Sequence, residues 1–521
     1  MTDPTGLCQF PGQLPVLLIH RRDVDFHTKS VAYVSIGRYI YRPMNTPYFS
    51  AWRSKLAAYG RRAARYRCAD EINNELSRFL PRQLLAETLR GLGSRKRIYT
   101  RELTFWCFIW QVLQPNTACR AVVRKVQAEH ETRRRKIDES SSGYCQARAR
   151  LPLTLFQNGM EHSAQSADRI VLHRVPGWNR PVKVIDATSF RTPDTHANQK
   201  RYHYPTGQKK GCGFPVMRAL AVFSLASGAI SQIVTAACYT AEMVMLKSLW
   251  PSLLPGDIAL GDRMYGCFVF LAAMPLQCVD VVARLSQGRN LDLRRATKLG
   301  PNDWLTSLPK PLQRPSYMTP DEWNALPGSI TVRIIRSRLQ IKGFRTTTLW
   351  IVSTLLDTQL YPAIAICDLY LQRWQMELSF RDLKTTMAME SLRCRTPDMI
   401  EKELRVFIIA YNCVRALMAQ AAVTHELPRQ RISFKGAIDS LRSFAPVMLR
   451  ATSQKSRNRL HSRLLEILAA DALPLRPGRS EPRAVKKRSK PYPLLTKSRH
   501  IFKPLPHKGK PTTKRPQVIL T

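Results

Sequence analysis

Three carboxylates stand where chemistry could be built. Asp186 follows a β-branched run at 182–185, Asp262 follows a second apolar run at 257–261, and Glu377 lies in YLQRWQMELSFRDLK, residues 370–384. Carboxylates at the ends of adjacent strands can share cations, which is how oxygen-rich Mg²⁺ sites are made. Two such ions, about 3.5–4 Å apart, activate an attacking oxygen and stabilise a leaving one in phosphoryl transfer. Without cations, three close carboxylates would repel one another and a phosphate backbone. Each acid also has a bland role: Asp186 as a strand-end cap, Asp262 paired with Arg263, and Glu377 paired with Arg373 or Arg381.

The stretch 370–384 has the spacing of one helix, within a helical pattern at 362–388. At 100° per residue Tyr370, Arg373, Glu377 and Lys384 fall within about 60° of one another, on one face. Leu371, Trp374 and Leu378 form an apolar stripe on one flank, and Met376, Phe380 and Leu383 form another. That pattern predicts a helix packed on both sides of a narrow polar strip.

The chain has 521 residues, enough for several domains and a large core. Its 82 Lys and Arg against 37 Asp and Glu give a net charge of +45. A surplus of that size needs a polyanion, and nucleic acid is the default partner. An anionic membrane is the alternative, but neither an uninterrupted apolar run of about 18 residues nor a signal-peptide pattern appears. The twelve Cys are scattered without a CxxC, and the eleven His lack ligand spacing, as expected of reduced thiols packed as small hydrophobes in a cytoplasmic protein.

In order along the chain, residues 1–50 read as a poorly ordered leader, with Met44 as an alternative start. Residues 51–150 read as a helical DNA-binding domain. Thr117 caps a segment with Val122, Val123 and Val126 on one side, while Arg120, Arg124 and Lys125 project away and RRRK follows at 133–136. A basic helix after a short turn resembles a helix-turn-helix reader; a structural bundle with a solvated basic surface is the other reading. From 151 to 285 the order is three strands, helix, strand, helix, strand, which predicts an α/β sheet of mixed direction. Residues 286–345 read as a β-rich insertion with its own small β structure, 346–425 as the return to the core with the Glu377 helix, and 426–470 as closing helices. The Pro-, Lys- and Arg-rich tail, 471–521, cannot build a core and reads as disordered until it meets polyanion.

Four segments together resemble the DDE transposases of the insertion-sequence-four (IS-four) family, over roughly residues 70–500. They are DATSFRTPDTHANQ at 186–199, the block from Tyr204 to Ile230, PGDIALGDRMYG at 255–266, and the Y-x2-R-x3-E-x6-K signature made by Tyr370, Arg373, Glu377 and Lys384. The tail at 481–497 is similar too, whereas residues 1–50 are not covered. The resemblance implies an RNase H-like catalytic core with a β-rich insertion between the second Asp and the Glu. It carries ligation of two Mg²⁺ ions, or Mn²⁺ in their place, onto Asp186, Asp262 and Glu377. It gives Tyr370, Arg373 and Lys384 a grip on DNA phosphates, which suits a planar Arg fork and a Lys point charge. Some relatives flip a base onto a tryptophan of the insertion; Trp304, Trp323 and Trp350 are candidates here, against core packing for each.

The function implied is that of a transposase working on double-stranded DNA, both the ends of its own element and the target. It binds the terminal inverted repeats, pairs the ends as a dimer, hydrolyses the phosphodiester and joins the freed 3′-OH to target DNA. It acts in the bacterial cytoplasm, at the nucleoid when DNA-bound. Two rivals are a metal-dependent nuclease without strand transfer and a non-catalytic DNA-binding protein from a decayed element.

Overall fold

Short, nearly continuous apolar runs build the centre of the molecule. The strands are β1 (Val182–Arg191), β2 (Val216–Ser224), β3 (Ile230–Ala237), β4 (Ile258–Gly261), β5 (Asp280–Arg284), β6 (Thr297–Gly300), β7 (Asp303–Pro309), β8 (Ser329–Arg338) and β9 (Thr348–Ser353). They form one sheet in the order β3-β2-β1-β4-β5-β9-β8-β7-β6. Strands β1, β2 and β3 are an antiparallel meander, and β4 and β5 add in parallel to β1. This 3-2-1-4-5 order, with these directions, is the RNase H-like core. β9 pairs antiparallel with β5, and β8, β7 and β6 follow antiparallel beyond it. The strands of the insertion therefore extend the central sheet instead of making a separate one.

The computed structural model describes residues 35–36, 39–40, 70–81, 83–86, 98–131, 137–171, 179–205, 213–286, 293–338, 348–474, 501–505 and 517–520. The basic run at 133–136, most of the leader and most of the tail lie outside the described residues. The chain divides into two units, Met1–Tyr66 and Arg67–Thr521. In the first, the described residues pair Ser35–Ile36 with Tyr39–Ile40. The tail contributes one antiparallel pair, Phe502–Leu505 with Gln517–Leu520.

Successive strand residues feed two cores. Val184, Ala219, Ala221, Phe223, Ile258 and Leu260 belong to one, and their neighbours Ile185, Leu220, Val222 and Ala259 to the other. Side chains of a strand alternate between faces, so a sheet covered on both faces needs apolar residues at nearly every position. The first core holds helices α6 (Leu153–Val171) and α13 (Pro397–Thr424); the second holds α8 (Glu242–Leu249), α9 (Phe268–Ala273) and Trp323 of α10 (Pro320–Asn324). Gly159 lets α6 approach closely: a Cβ there would stand 3.0 Å from Ile409 Cδ1 on α13. Asn412, fully buried on α13, takes the Ile230 N–H (2.8 Å) and donates to the Ile230 carbonyl (2.9 Å) and Ser163 Oγ (3.1 Å). Buried backbone at the start of β3 is thereby satisfied by one side chain.

Helix α13 starts at the Thr396 cap with Pro397 in its first turn, the residue types that favour a helix start. It is the one described helix long and apolar enough to cross a membrane, and 89% of its most apolar window is buried inside the protein. It is a core helix. Near the front of the second unit lie α1 (Asp70–Leu76), α2 (Gln83–Ala86), α3 (Arg101–Leu113), α4 (Cys119–Glu131) and α5 (Ser142–Arg150). The closing helices are α14 (Phe434–Arg450) and α15 (Gln454–Ala470), capped by Ser433 and Ser453.

Candidate active site

Strand register sets the two aspartates side by side. Val184 of β1 pairs with Leu260 of β4 in parallel. Two residues further on each chain stand Asp186 and Asp262, at the point where that pairing ends. The carboxyl ends of parallel strands, where the sheet opens, are where open α/β sheets place ligands. Asp186 does not end its strand as expected, because β1 continues to Arg191 against β2. Its Oδ1 accepts from Ala187 N (3.0 Å), and Asp262 Oδ1 accepts from Met264 N (2.7 Å), fixing the turn that leaves β4. Burial raises the Asp186 carboxyl from 3.8 to about 6; Arg373 opposes that rise, while Asp262 and Glu242 add to it.

Glu242 and Tyr265 are neighbours that sequence reasoning missed. Glu242, in the first turn of α8, accepts from Tyr265 Oη (2.5 Å) and from Arg218 Nη2 on β2 (3.1 Å). Burial, then the Glu242 carboxylate, push the Tyr265 phenol well above its usual range, and Asp262 and Asp186 add to the effect. A Cβ at Gly261 would run into the Tyr265 ring, so glycine lets that ring fold back over the end of β4. Tyr265 had a signal, being three residues after Asp262 in the same block; Glu242 had none.

The Glu377 segment is not one straight helix. Helix α11 (Ala363–Gln372) stops, Arg373 and Trp374 form a turn, α12 (Gln375–Arg381) resumes, and Asp382–Thr386 is a π-helix. Through the break the backbone bonds span three residues, as in Arg373 N to Tyr370 O (3.1 Å) and Met376 N to Arg373 O (3.0 Å). A constant 100° per residue therefore fails between Tyr370 and Lys384. Only one flank is packed. Met376, Phe380 and Leu383 are buried, whereas Trp374 is 50% and Leu378 45% exposed. Phe380 meets Phe223 of β2 edge to face, with ring centroids 5.0 Å apart, which holds α12 on the sheet.

Of the four signature residues, Tyr370 and Arg373 face the aspartates. Tyr370 is buried and Arg373 half-buried, with the guanidinium 6.0 Å from the Tyr370 ring. Burial raises the Tyr370 phenol; Arg373 and then Arg284, at the end of β5, oppose this, and Asp262 adds to it. Arg373 Nε is buried without a hydrogen-bond partner, a donor ready for an anion's oxygen. Glu377 stands apart, 46% exposed and 3.9 Å from Arg373 Nη2, in its bland pairing. Among the described residues no three metal-ligating side chains are gathered closely enough to cage an ion. Lys384 is half-buried with Nζ 5.3 Å from the Phe190 ring. Burial lowers its ammonium, and Glu390 opposes this.

Elsewhere the candidates divide. Arg120 and Arg124 of α4 are exposed. Lys125 does not project away: its Nζ bonds Glu71 Oε1 (2.8 Å) and lies 5.0 Å from the Trp110 ring. Thr117 donates to Pro115 O (3.4 Å), and α4 begins two residues later. Trp323 is core, 8% exposed and against Phe268. Trp304 and Trp350 stack at 6.0 Å, with Arg336 against both rings.

The Transposase DDE domain family matches residues 177–413, a span that contains Asp186, Asp262 and Glu377. The transposase InsG for insertion sequence element IS4 of Escherichia coli (strain K12) is 24% identical over 442 residues, covering 82% of this chain and 96% of that protein. Over these spans the chain is similar to the DDE transposases of the IS4 type. A piggyBac transposase chain, from a synaptic complex with hairpin DNA, aligns over 82% of this chain and 87% of its own length, with a TM-score of 0.34 and 11% identity.

The aspartate pair makes a testable electrostatic statement. In the metal-free protein, Asp186 should take up its proton near pH 6. Its folded value lies above the unfolded one, so its contribution to stability is full below about pH 4 and lost as pH rises through about 6. Carboxyl ¹³C shifts should show that midpoint, moving up in Arg373→Gln and down in Asp262→Asn. A midpoint near 4 that ignores both substitutions contradicts the arrangement.

Proposed function

We propose that the protein binds the terminal inverted repeats of its own insertion sequence, cleaves its ends by divalent-metal-dependent hydrolysis and joins the resulting 3′-OH ends to target DNA. The observation that carries this is the placing of Asp186 and Asp262 level on neighbouring parallel strands, with Arg373 beside them. The match to the Transposase DDE domain family supports DNA as the substrate and a divalent cation as the cofactor.

The donor set suits a hard cation: two carboxylates abreast, one of them raised to about 6 by burial. Asp186 and Asp262 would hold Mg²⁺, or Mn²⁺, and Glu377 would join them by leaving Arg373. When bound, the ions supply charge neutralisation to both the attacking and the leaving oxygen of an in-line displacement. The chain's own groups do the rest. Arg373, through its unpaired Nε, and Tyr370 hold the scissile phosphate; Lys384 holds a neighbouring one. Freed from Glu377, Arg373 has its whole fork available for phosphate oxygens. Hydrolysis and joining are both attacks of an oxygen on phosphorus, so one site serves both. Pairing two element ends calls for a dimer on DNA. Arg120 and Arg124 are the exposed α4 cations for end binding, and Trp304 and Trp350 remain candidates for a flipped base.

A joining assay with pre-cleaved ends tests the reading. Joined products with Mg²⁺ or Mn²⁺ support it; cutting without joining means a nuclease, and binding with neither means a decayed relative. Binding to the ends should weaken by about 0.9 log units per log unit of salt for each phosphate neutralised. A flat salt response would contradict the role given to the charge of +45.

A further inference from the structure

Away from the carboxylates, α4 and α5 bring two thiols to one buried cation. Arg148, in the last turn of α5, is 8% exposed. Its Nη2 lies 3.2 Å from Cys119 Sγ, at the start of α4, and 3.7 Å from Cys145 Sγ on α5. Its flat faces meet the rings of Phe108 and Tyr144, 4.7 and 5.0 Å from the centroids. Its Nε has no hydrogen-bond partner, and no carboxylate among the described residues pairs with it. A buried guanidinium without a counter-anion is costly, and a thiolate beside it removes that cost. Both cysteines line a cavity of about 370 Å³ with Cys394 and Arg148. Both are half-buried, unlike the fully buried Cys107, Cys394 and Cys413.

We propose that Cys119 and Cys145 form a peroxide-reactive dithiol that closes to a disulfide between α4 and α5. Cys145 is the attacking thiolate: the neighbouring Cys119 and Arg148 hold its thiol at about 6, whereas the Cys119 thiol is pushed well up. The other groups around the pair are Tyr144, Cys394 and, behind Cys394, Glu403. The thiolate attacks a peroxide oxygen; an S–O bond forms, the O–O bond breaks, and the hydroxide that leaves takes a proton from solvent to become water. Cys119 then attacks the sulfenic sulfur. An S–S bond forms, the S–O bond breaks, and the hydroxyl departs with the Cys119 proton as a second water. Sulfur loses two electrons in all and the peroxide gains them. Closure ties the first residue of α4, the helix carrying Arg120 and Arg124, to its neighbour.

The test uses the full chain, hydrogen peroxide, blocking of remaining thiols and tryptic mass spectrometry. The expected product is a linked peptide joining residues 102–120 to 137–148, reversed by dithiothreitol. It should survive in Cys107→Ser and vanish in Cys119→Ser, where Cys145 is instead trapped as a dimedone adduct. Iodoacetamide should label Cys145 about tenfold faster than exposed Cys278 at pH 6, with the advantage lost by pH 8.5, since a low-pKa thiolate is abundant but less nucleophilic. The proposal is overturned if no link forms at peroxide doses that oxidise Cys278, if the link persists in Cys119→Ser, or if Cys145 follows the same pH profile as Cys278.

Discussion

Asp262→Asn should lower end cleavage on the order of 10³-fold or more, while end binding stays within about twofold. Asparagine keeps the size of the side chain and an oxygen for the Met264 N–H (2.7 Å), so the turn after β4 survives. What is lost is the negative charge beside Asp186. Two abreast carboxylates are what a hard cation needs, and one carboxylate with an amide binds it far more weakly. Stability should not fall. Asp262 raises the Asp186 carboxyl, so removing that charge relieves repulsion in the metal-free protein. Binding should persist because the proposed phosphate grip of Arg373, Tyr370 and Lys384 keeps its place. Gel-shift and cleavage assays on one labelled end, with urea unfolding as the control, measure all three. Cleavage within about tenfold of the unmodified protein would remove Asp262 from the chemistry. Lost cleavage together with lost binding or lowered stability would point to a structural role.

Arg333→Met should cost about 3–5 kcal/mol of folding stability, because it strands a buried carboxylate. The side chains of Arg333 and Asp303 are 1% and 6% exposed. Arg333 donates from Nε to Asp303 Oδ1 (2.9 Å) and from Nη2 to Oδ2 (2.6 Å), across β8 and β7. Its Nη1 also reaches the Tyr361 carbonyl (2.6 Å), just before α11. The pair thus ties the extended half of the sheet to the segment leading to Glu377. Removing both charges together, as Arg333→Met with Asp303→Leu, should recover most of the loss, since an apolar pair leaves nothing unpaired apart from one carbonyl. Urea denaturation read by tryptophan fluorescence decides it. A single variant costing less than about 1 kcal/mol, or a double variant at the sum of the singles, would show that the pair is not coupled as its geometry requires.

Much of the site was legible as type and place. Asp186 and Asp262 each follow an apolar run, and a strand covered on both faces leaves such a run in the sequence. Family blocks around them and around Glu377 added their order along the chain. What could not be read was anything set by distant partners. Lys125 looked free because nothing nearby in sequence opposes it; Glu71 and Trp110 hold it. Glu242 enters the aspartates' neighbourhood through Tyr265 and Arg218, from two other elements. Cys119 and Cys145 looked like scattered fillers until Arg148 joined them.

Residues 370–384 show the division most plainly. By itself the sequence determined that this segment is helical and that it carries Tyr370, Arg373, Glu377 and Lys384 at family spacing, because local periodicity and residue type are sequence properties. Tertiary structure decided its path. Phe380 is held against Phe223, and Asp382 against Arg415 of α13 (2.8 Å), so the segment must satisfy partners on two elements at once. It does so with a turn at Arg373–Trp374 and a π-helix from Asp382, which change the angle between residues that a uniform helix would keep on one face. That leaves Arg373 at the aspartates and Glu377 facing outward, since packing against a sheet, unlike helical period, depends on contacts with residues distant in the chain.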